Sequence, residues 1–328
     1  IPWLEFQGFK RILPRAREKF GDAPPGTPVP DLSDGIETET QRQKRVAEFN
    51  AEKEKNGGAV PARPKPAARV FEEATDELPP IGKTPYELIT DALVLERWMA
   101  EAMQVGTLTV DTETDSLDEL KANLIGVARA LPDGRAAYVP IGHRKPGAQD
   151  TLDFDGAGAG TLLPNQLALE KVVAILKPVL ESPSVLKIGQ NVKYDLKVLR
   201  RHGIDMGPVD CTMLLSFVLE GGKHGHGMDE LSELFLGHKP ITYDDVTGTG
   251  RARVTFDQVP LEKALPYSAE DADVTYRLWK QFKPRLVGES MTTMYERYER
   301  PLIGVLADME RAGMKVDEAE LKRLSMDF

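Results

Sequence analysis

The stretch Thr107–Leu117, TLTVDTETDSL, sets the reading of this chain. Thr107, Leu108, Thr109 and Val110 are β-branched or aliphatic, the composition of a short buried strand. Asp111, Glu113 and Asp115 follow at alternate positions. Strand interiors disfavour aspartate, and acids spaced by two repel one another. A hard divalent cation, which takes oxygen ligands, makes such an arrangement favourable. A solvated acidic turn after the strand is the alternative, and this stretch alone leaves both open.

Outward from it, the chain alternates in kind. Helical apolar spacing covers Thr90–Met103, before the strand. Asn123–Leu131 and Arg135–Ile141 read as two further strands, joined by the turn Pro132-Asp133-Gly134. A Gly-rich loop covers Arg144–Pro164, and Gln166–Leu180 reads as a helix. Val185–Gly189 is a strand, then a helix runs over Val192–Arg201 and stops at Gly203. Helices are expected at 211–220, 228–236, 243–247, 260–286 and 291–312, the last ended by Gly313. A short strand over Met314–Val316 and a helix from Asp317 complete the chain. The pattern is α/β, a mixed central sheet with helices packed on it.

The chain has 328 residues and a formal net charge of −10. That charge argues against a dominant non-specific duplex-binding surface, though not against a small metal-assisted nucleic-acid site. One cysteine, Cys211, allows no internal disulfide and suits a reducing cytoplasm; it reads as a small core residue at a helix start. No apolar run is long enough to span a bilayer, and the first residues carry no signal-peptide pattern. The chain starts at Ile1, so a segment of a longer protein is expected. Residues 1–20 read as an amphipathic helix or the end of a preceding domain. Residues 21–80, with nine prolines from Pro24 to Pro80, read as a disordered linker, and 40–55 as a transient helix within it. A compact domain is expected from Ile81, and the last unit, the strand and helix after Gly313, has no core of its own, so a further domain is expected beyond it.

Two more acids break the amphipathic pattern. In the helix from Val192, Asp195 falls beside Val192, Leu196 and Leu199 on the apolar stripe. In the helix around Pro266, Asp271 shares a stripe with Tyr267, Val274 and Leu278. Aspartate is rarely buried unless paired or bound to metal. A lysine partner would explain either one. One strand end and two helices each offering an inward carboxylate favours a shared cation.

The segments VDTETDSL (110–117), GQNVKYDLKVL (189–199) and YSAEDADVT (267–275) resemble the three exonuclease motifs of the DEDD superfamily, in its tyrosine-bearing branch. Their form is similar to the 3′–5′ proofreading domain of bacterial DNA polymerase I, a family A polymerase. HGMDEL (226–231), ITYDD (241–245) and VTFDQVPLE (254–262) extend the likeness over about 81–312. LEFQGFKRIL within residues 1–20 looks like the end of a 5′-nuclease domain. ERPLIGVLADMERAGMKVD (299–317) looks like the start of a polymerase domain. The resemblance implies a ribonuclease H-like fold, with the exonuclease over 81–290 and the polymerase beginning in 291–328. It implies Asp111, Glu113, Asp195 and Asp271 as ligands of two divalent ions, magnesium or manganese. Asp111 would bridge them, Glu113 and Asp271 would complete the first site, and Asp195 the second. Tyr267 would hydrogen-bond the attacking water, making these five residues the catalytic set. Leu117 and Tyr243 match positions that wedge against terminal bases. Thr112, Gln190, Asn191, Tyr194 and His226 match positions at the substrate. The implied partner is a single-stranded 3′ end of DNA, with polymerase and 5′-nuclease domains covalently linked, in a cytoplasmic monomer without membrane contact. One departure concerns GGKHGHGMDEL (221–231): Gly225 stands where relatives commonly carry a phosphate-facing arginine, and Lys223 or His226 are the candidate substitutes.

The residues suit the chemistry apart from any family. Phosphodiester hydrolysis needs water activated near neutral pH and charge on the leaving oxygen, and two divalent ions about 3.5–4 Å apart supply both. An all-oxygen ligand set suits magnesium or manganese. His224, His226 and His238 are better read as loop histidines than as zinc ligands. GAGAG (156–160) lacks the strand–helix context of a dinucleotide loop. Arg251 and Arg253, beside Gly248 and Gly250, could touch a DNA backbone or lie in a solvated loop.

Overall fold

The acid-bearing strand pairs on both sides, which places it inside a sheet. The computed structural model describes residues 78–145 and 160–327. The expectations for residues 1–20, the linker up to 77, and all of GAGAG but Gly160 lie outside them. Six strands form the sheet: β1 (Glu87–Leu88), β2 (Thr107–Thr114), β3 (Leu124–Ala130), β4 (Ala136–Pro140), β5 (Leu186–Gly189) and β6 (Val209–Cys211). Their order is β1-β4-β3-β2-β5-β6. β2, β3 and β4 are antiparallel neighbours, whereas β1, β5 and β6 join in parallel. The sheet is therefore mixed, as expected.

The α-helices of five residues or more among the described residues are α1 (Ala92–Val105), α2 (Leu169–Leu180), α3 (Val192–Arg201), α4 (Thr212–Glu220), α5 (Tyr243–Thr247), α6 (Leu261–Gly288), α7 (Arg300–Ala312) and α8 (Glu318–Asp327). α1 begins where the Asp91 carboxylate accepts from Leu93 N, and it ends at Gly106, whose φ of 79° is the left-handed conformation that glycine adopts without strain. Alternate residues of the central strands face opposite layers. Val110, Val127, Ala137 and Val139 pack with Leu95, Trp98 and Met99 of α1, Val172 and Leu176 of α2, and Leu196 and Leu199 of α3. Ala128, Ala130 and Tyr138 face the other way, onto Phe256, Val259 and the α6 residues Ala264, Ala269 and Ala272. A third cluster joins α4 to the C-terminal half of α6 through Leu215, Leu219, Val274, Leu278 and Phe282.

Four expectations change. β2 does not stop at Val110 but runs to Thr114, because β3 pairs with it as far as Thr114, across a register shift at Glu113/Thr114. Two edge strands, β1 and β6, were not anticipated; with two and three residues they are too short to show a period. The helix expected over 291–312 is broken by a π-helical turn at Tyr295–Glu299. Met314–Val316 forms no strand. Residues 291–312 also pack against the layers already described. Tyr295 is fully buried with α4 and α6, and Ile303 and Ala307 of α7 join the cluster containing α3. Cys211 is buried and immediately precedes α4, as expected.

Candidate active site

Asp111 and Glu113 lie on one face of β2 because they are two residues apart. Their cross-strand partners are Ala128 and Gly126 of β3, on the layer that α6 covers. Gly126 is obligatory there: a Cβ would lie 2.0 Å from the Tyr138 hydroxyl, so the Tyr138 ring occupies that space. Tyr138 in turn bonds His143 Nε2 at 2.7 Å, and His143 Nδ1 lies 3.0 Å from the Val259 carbonyl. Burial pushes His143 down to about 4, so this floor is neutral.

α6 brings Asp271 onto the same point. Ligand oxygens of Asp111, Glu113 and Asp271 lie within 4.8 Å of one another, and among the described residues no other group of three His, Cys, Asp or Glu does so. Glu113 and Asp271 are buried, whereas Asp111 keeps access to solvent. Ser268, one helical turn before Asp271, donates to Glu113 Oε1 at 2.6 Å. Asp271 Oδ1 is buried with no hydrogen-bond partner. Native folds rarely leave such an atom unsatisfied, and a site for a ligand is one of the few explanations.

Asp195 enters from α3. It is not one of the three convergent acids. Its Oδ1 accepts from both Thr112 N at 2.8 Å and Thr112 Oγ1 at 2.6 Å. Thr112 lies between Asp111 and Glu113 and faces the other side of β2, so the strand grips α3 at the position next to the cluster. Asn191 starts α3 in the left-handed conformation, φ 52°. Asp115 departs from the first reading: it bonds Asn123 N and Nδ2, each at 2.7 Å, and closes the β2–β3 turn.

Electrostatics agree with the geometry. Burial, then Glu113, Asp195 and Asp271, raise Asp111 well above the carboxylate range. Burial also raises Glu113 to about 7 against the Ser268 bond, and Asp195 to about 7 against the Thr112 bonds. Asp271 rises through burial and through Glu113, Asp229 and Glu270. Burial leads in every case, and like charges add to it for Asp111, Glu113 and Asp271. Tyr267, one turn from Asp271 on α6, has its phenol raised by burial and by Asp271, Glu113 and Asp111.

The expected substrate residues differ in exposure and in bonding. Leu117 is 94% exposed, and Tyr243 projects partly from α5 with its ring 6.2 Å from that of Tyr267. Tyr194 donates to Ser116 O at 2.6 Å. Gln190 is held at both ends of its amide: Thr212 donates to Oε1 at 2.6 Å, and Nε2 donates to His226 O at 2.8 Å. His226 Nδ1 lies 2.9 Å from Ser216 Oγ. Neither candidate substitute for the departed arginine is a free cation. Lys223 pairs with Glu220 at 2.5 Å. Burial and the neighbouring His224 lower His226. A Cβ on Gly225 would lie 2.3 Å from Glu230 Oε2, so a carboxylate fills the space that a longer side chain would need. His224, His226 and His238 make no metal-holding group among the described residues. Ser268 and Thr212 escaped the sequence reading; Ser268 had a signal, as a small hydroxyl on the acid-bearing helix.

Residues 86–287 match the model of the 3′–5′ exonuclease family found in family A DNA polymerases. The chain belongs to that family. The exonuclease is 48% identical over 255 residues to DNA polymerase I of Rhizobium leguminosarum, covering 75% of this chain and 24% of the relative. It is 36% identical over 255 residues to DNA polymerase I of Pseudomonas aeruginosa, covering 76% and 26%. The exonuclease thus spans about a quarter of the length of these curated relatives. Among solved structures, it shares its fold with the POL domain of Pol1 from M. smegmatis, with a TM-score of 0.52 at 18% identity, covering 71% of this chain and 33% of that one. The catalytic core of RRP6 from Trypanosoma brucei gives a TM-score of 0.51 at 14% identity, covering 69% and 54%. The fold is ribonuclease H-like.

Proposed function

We propose that this exonuclease is the metal-dependent proofreading module of a bacterial DNA polymerase I. It removes 3′-terminal nucleotides from single-stranded or frayed DNA and releases nucleoside monophosphates. The observation that carries the reading is the convergence of Asp111, Glu113 and Asp271 around a buried, unpartnered Asp271 Oδ1. This all-oxygen donor set fits magnesium or manganese.

In this reading Asp111, Glu113 and Asp271 would hold one ion, and Asp195 would help to hold a second. Bound there, the ions would supply charge to activate water and to stabilise the leaving oxygen. The protein's own residues do the positioning. Thr112 fixes Asp195, and Ser268 fixes Glu113, so neither carboxylate can swing away from the cluster. Tyr267 keeps its proton at neutral pH and can donate to, or orient, the attacking water. Leu117 and Tyr243 offer apolar and aromatic surface that separates bases and cannot pair with them. Gln190 and Asn191, at the start of α3, and Tyr194 line the approach of the terminal nucleotide.

The matched relatives, of which this chain spans about a quarter, support a module carried within a longer polymerase. In this reading 81–290 are the exonuclease and 291–328 lead into the polymerase, while the segments assigned to 1–20 and to the linker up to 77 lie outside the described residues. The working form is a cytoplasmic monomer. No helix of the described residues is long and apolar enough to cross a membrane.

Labelled DNA tests the reading. Single-stranded DNA labelled away from its 3′ end should shorten stepwise with magnesium and stay intact in chelator. Blunt duplex should be degraded more slowly. Full activity in chelator, or equal rates on both substrates, would overturn it. A parallel RNA strand separates deoxyribonuclease from ribonuclease activity.

A further inference from the structure

We infer that Arg253 is the cation that grips the phosphate backbone of the strand entering this site, with Asp244 holding it in reserve when no strand is bound. The inference rests on the exonuclease reading. The site itself is wholly acidic, yet its substrate is a polyanion, so a cation at the mouth is needed to draw the strand in. The nearby basic side chains are mostly committed. Lys197 is buried between Glu119 and Glu310, Lys193 bonds Glu310 at 2.5 Å, and Lys223 bonds Glu220.

Arg253 differs in place and in partner. Its guanidinium carbon lies 5.3 Å from the centre of the Tyr243 ring. That ring is backed by the buried Phe256, at 6.1 Å and nearly parallel, and lies 6.2 Å from the Tyr267 ring beside Asp271. Tyr243 is the rim residue whose hydroxyl feels both Glu113 and Arg253. The arginine therefore stands on the rim, one aromatic ring removed from the residue that meets the carboxylates. The loop that delivers it is built for this return. Gly248 and Gly250 take φ of 77° and 63°, and Val254 N donates to Thr247 O at 3.0 Å, closing the loop over α5.

The partner is replaceable. Arg253 Nη2 lies 2.9 Å from Asp244 Oδ1, and both side chains are about half exposed. Exposed pairs of this kind contribute little. A phosphate offers the same fork of oxygens with more charge, and the guanidinium can take it without leaving the Tyr243 face. The arginine touches backbone and not base edges, so the contact carries no sequence preference.

The test uses the full chain with oligothymidylates. Arg253→Ala should raise KM about three- to tenfold at low salt with kcat unchanged, and should flatten the log–log salt dependence of binding by about 0.7. Arg253→Lys should keep the salt slope. Asp244→Asn, which frees the guanidinium, should lower KM; a merely structural ion pair would move both variants in the same direction. Fluorescence anisotropy in chelator reads the contact without turnover. Equal binding of parent and Arg253→Ala there, or a loss in kcat with KM unchanged, would overturn the inference. A parent that binds through Arg253 but never shortens DNA would overturn the exonuclease reading and leave this contact standing.

Discussion

Two buried aspartates in this molecule have opposite surroundings. Asp210 of β6 is fully buried, and every neighbour it meets is a donor. Trp279 Nε1 reaches it at 2.8 Å, Lys283 Nζ at 2.9 Å, Tyr295 Oη at 3.1 Å and Arg300 Nε at 3.3 Å. Asp271 of α6 is 5% exposed, and its neighbours are Glu113, Asp111 and a phenol, with one oxygen unpartnered. Asp210 ties α6, the π-helical turn and α7 onto the sheet edge. Asp271 sits among acids with one oxygen unpartnered, so its charge is disfavoured until a proton or a cation joins it. Burial therefore says little about an aspartate's role, whereas the sign of what surrounds it says a great deal.

That contrast can be broken most directly at Asp271. Asp271→Ala should lower the exonuclease rate on the order of 1000-fold, since it removes a ligand on which charge stabilisation depends. In chelator the variant should melt no lower than the parent, and magnesium should stabilise the parent far more than the variant. Melts with and without metal check this; a variant that melts lower in chelator would make Asp271 a second Asp210.

The mirror experiment is Asp210→Ala. It leaves Lys283 and Arg300 with Glu296 as remaining partner, and should cost roughly 2–3 kcal/mol of stability, read by urea unfolding. Folded variant should keep the parent's kcat. A stable variant with lost turnover would move Asp210 into the catalytic machinery.

A smaller effect comes from pH. Glu113 and Asp195 are each raised, chiefly by burial, to about 7. Between the ordinary carboxylate range and about 7 the folded state binds protons that the unfolded chain has released. Stability in chelator should therefore fall as pH rises through that window, by up to about 1.4 kcal/mol per pH unit for each group, and level off above it. Asp271→Ala should flatten the slope and Asp210→Ala should not. A parent curve that is flat from pH 5 to 8 would deny that burial raises these carboxyls.

Tyr267→Phe is the mildest change. With the ring packing kept, the rate should drop about tenfold while the magnesium-dependent shift in melting survives. Unchanged turnover would leave the hydroxyl without a role.

The comparison also explains what was legible. Asp271 and Asp195 stood out because each interrupts an apolar stripe, a local pattern on one helix. Asp210 gave no such signal, because a three-residue edge strand shows no period. Asp115 shared the spacing of Asp111 and Glu113 but falls beyond the end of β2, where it turns to Asn123.

From the amino-acid sequence alone come the order of the long elements, the mixed α/β class, the acid motifs and the family resemblance, since all depend on neighbours within a few turns or one strand. Tertiary structure alone decides which acids converge, which are neutralised and which cation stands at the rim. Ser268 meets Glu113 across 155 positions, and Thr112 meets Asp195 across 83. Such contacts follow from how the sheet and helices stack, and at these separations no periodicity in the chain encodes which charge will face which.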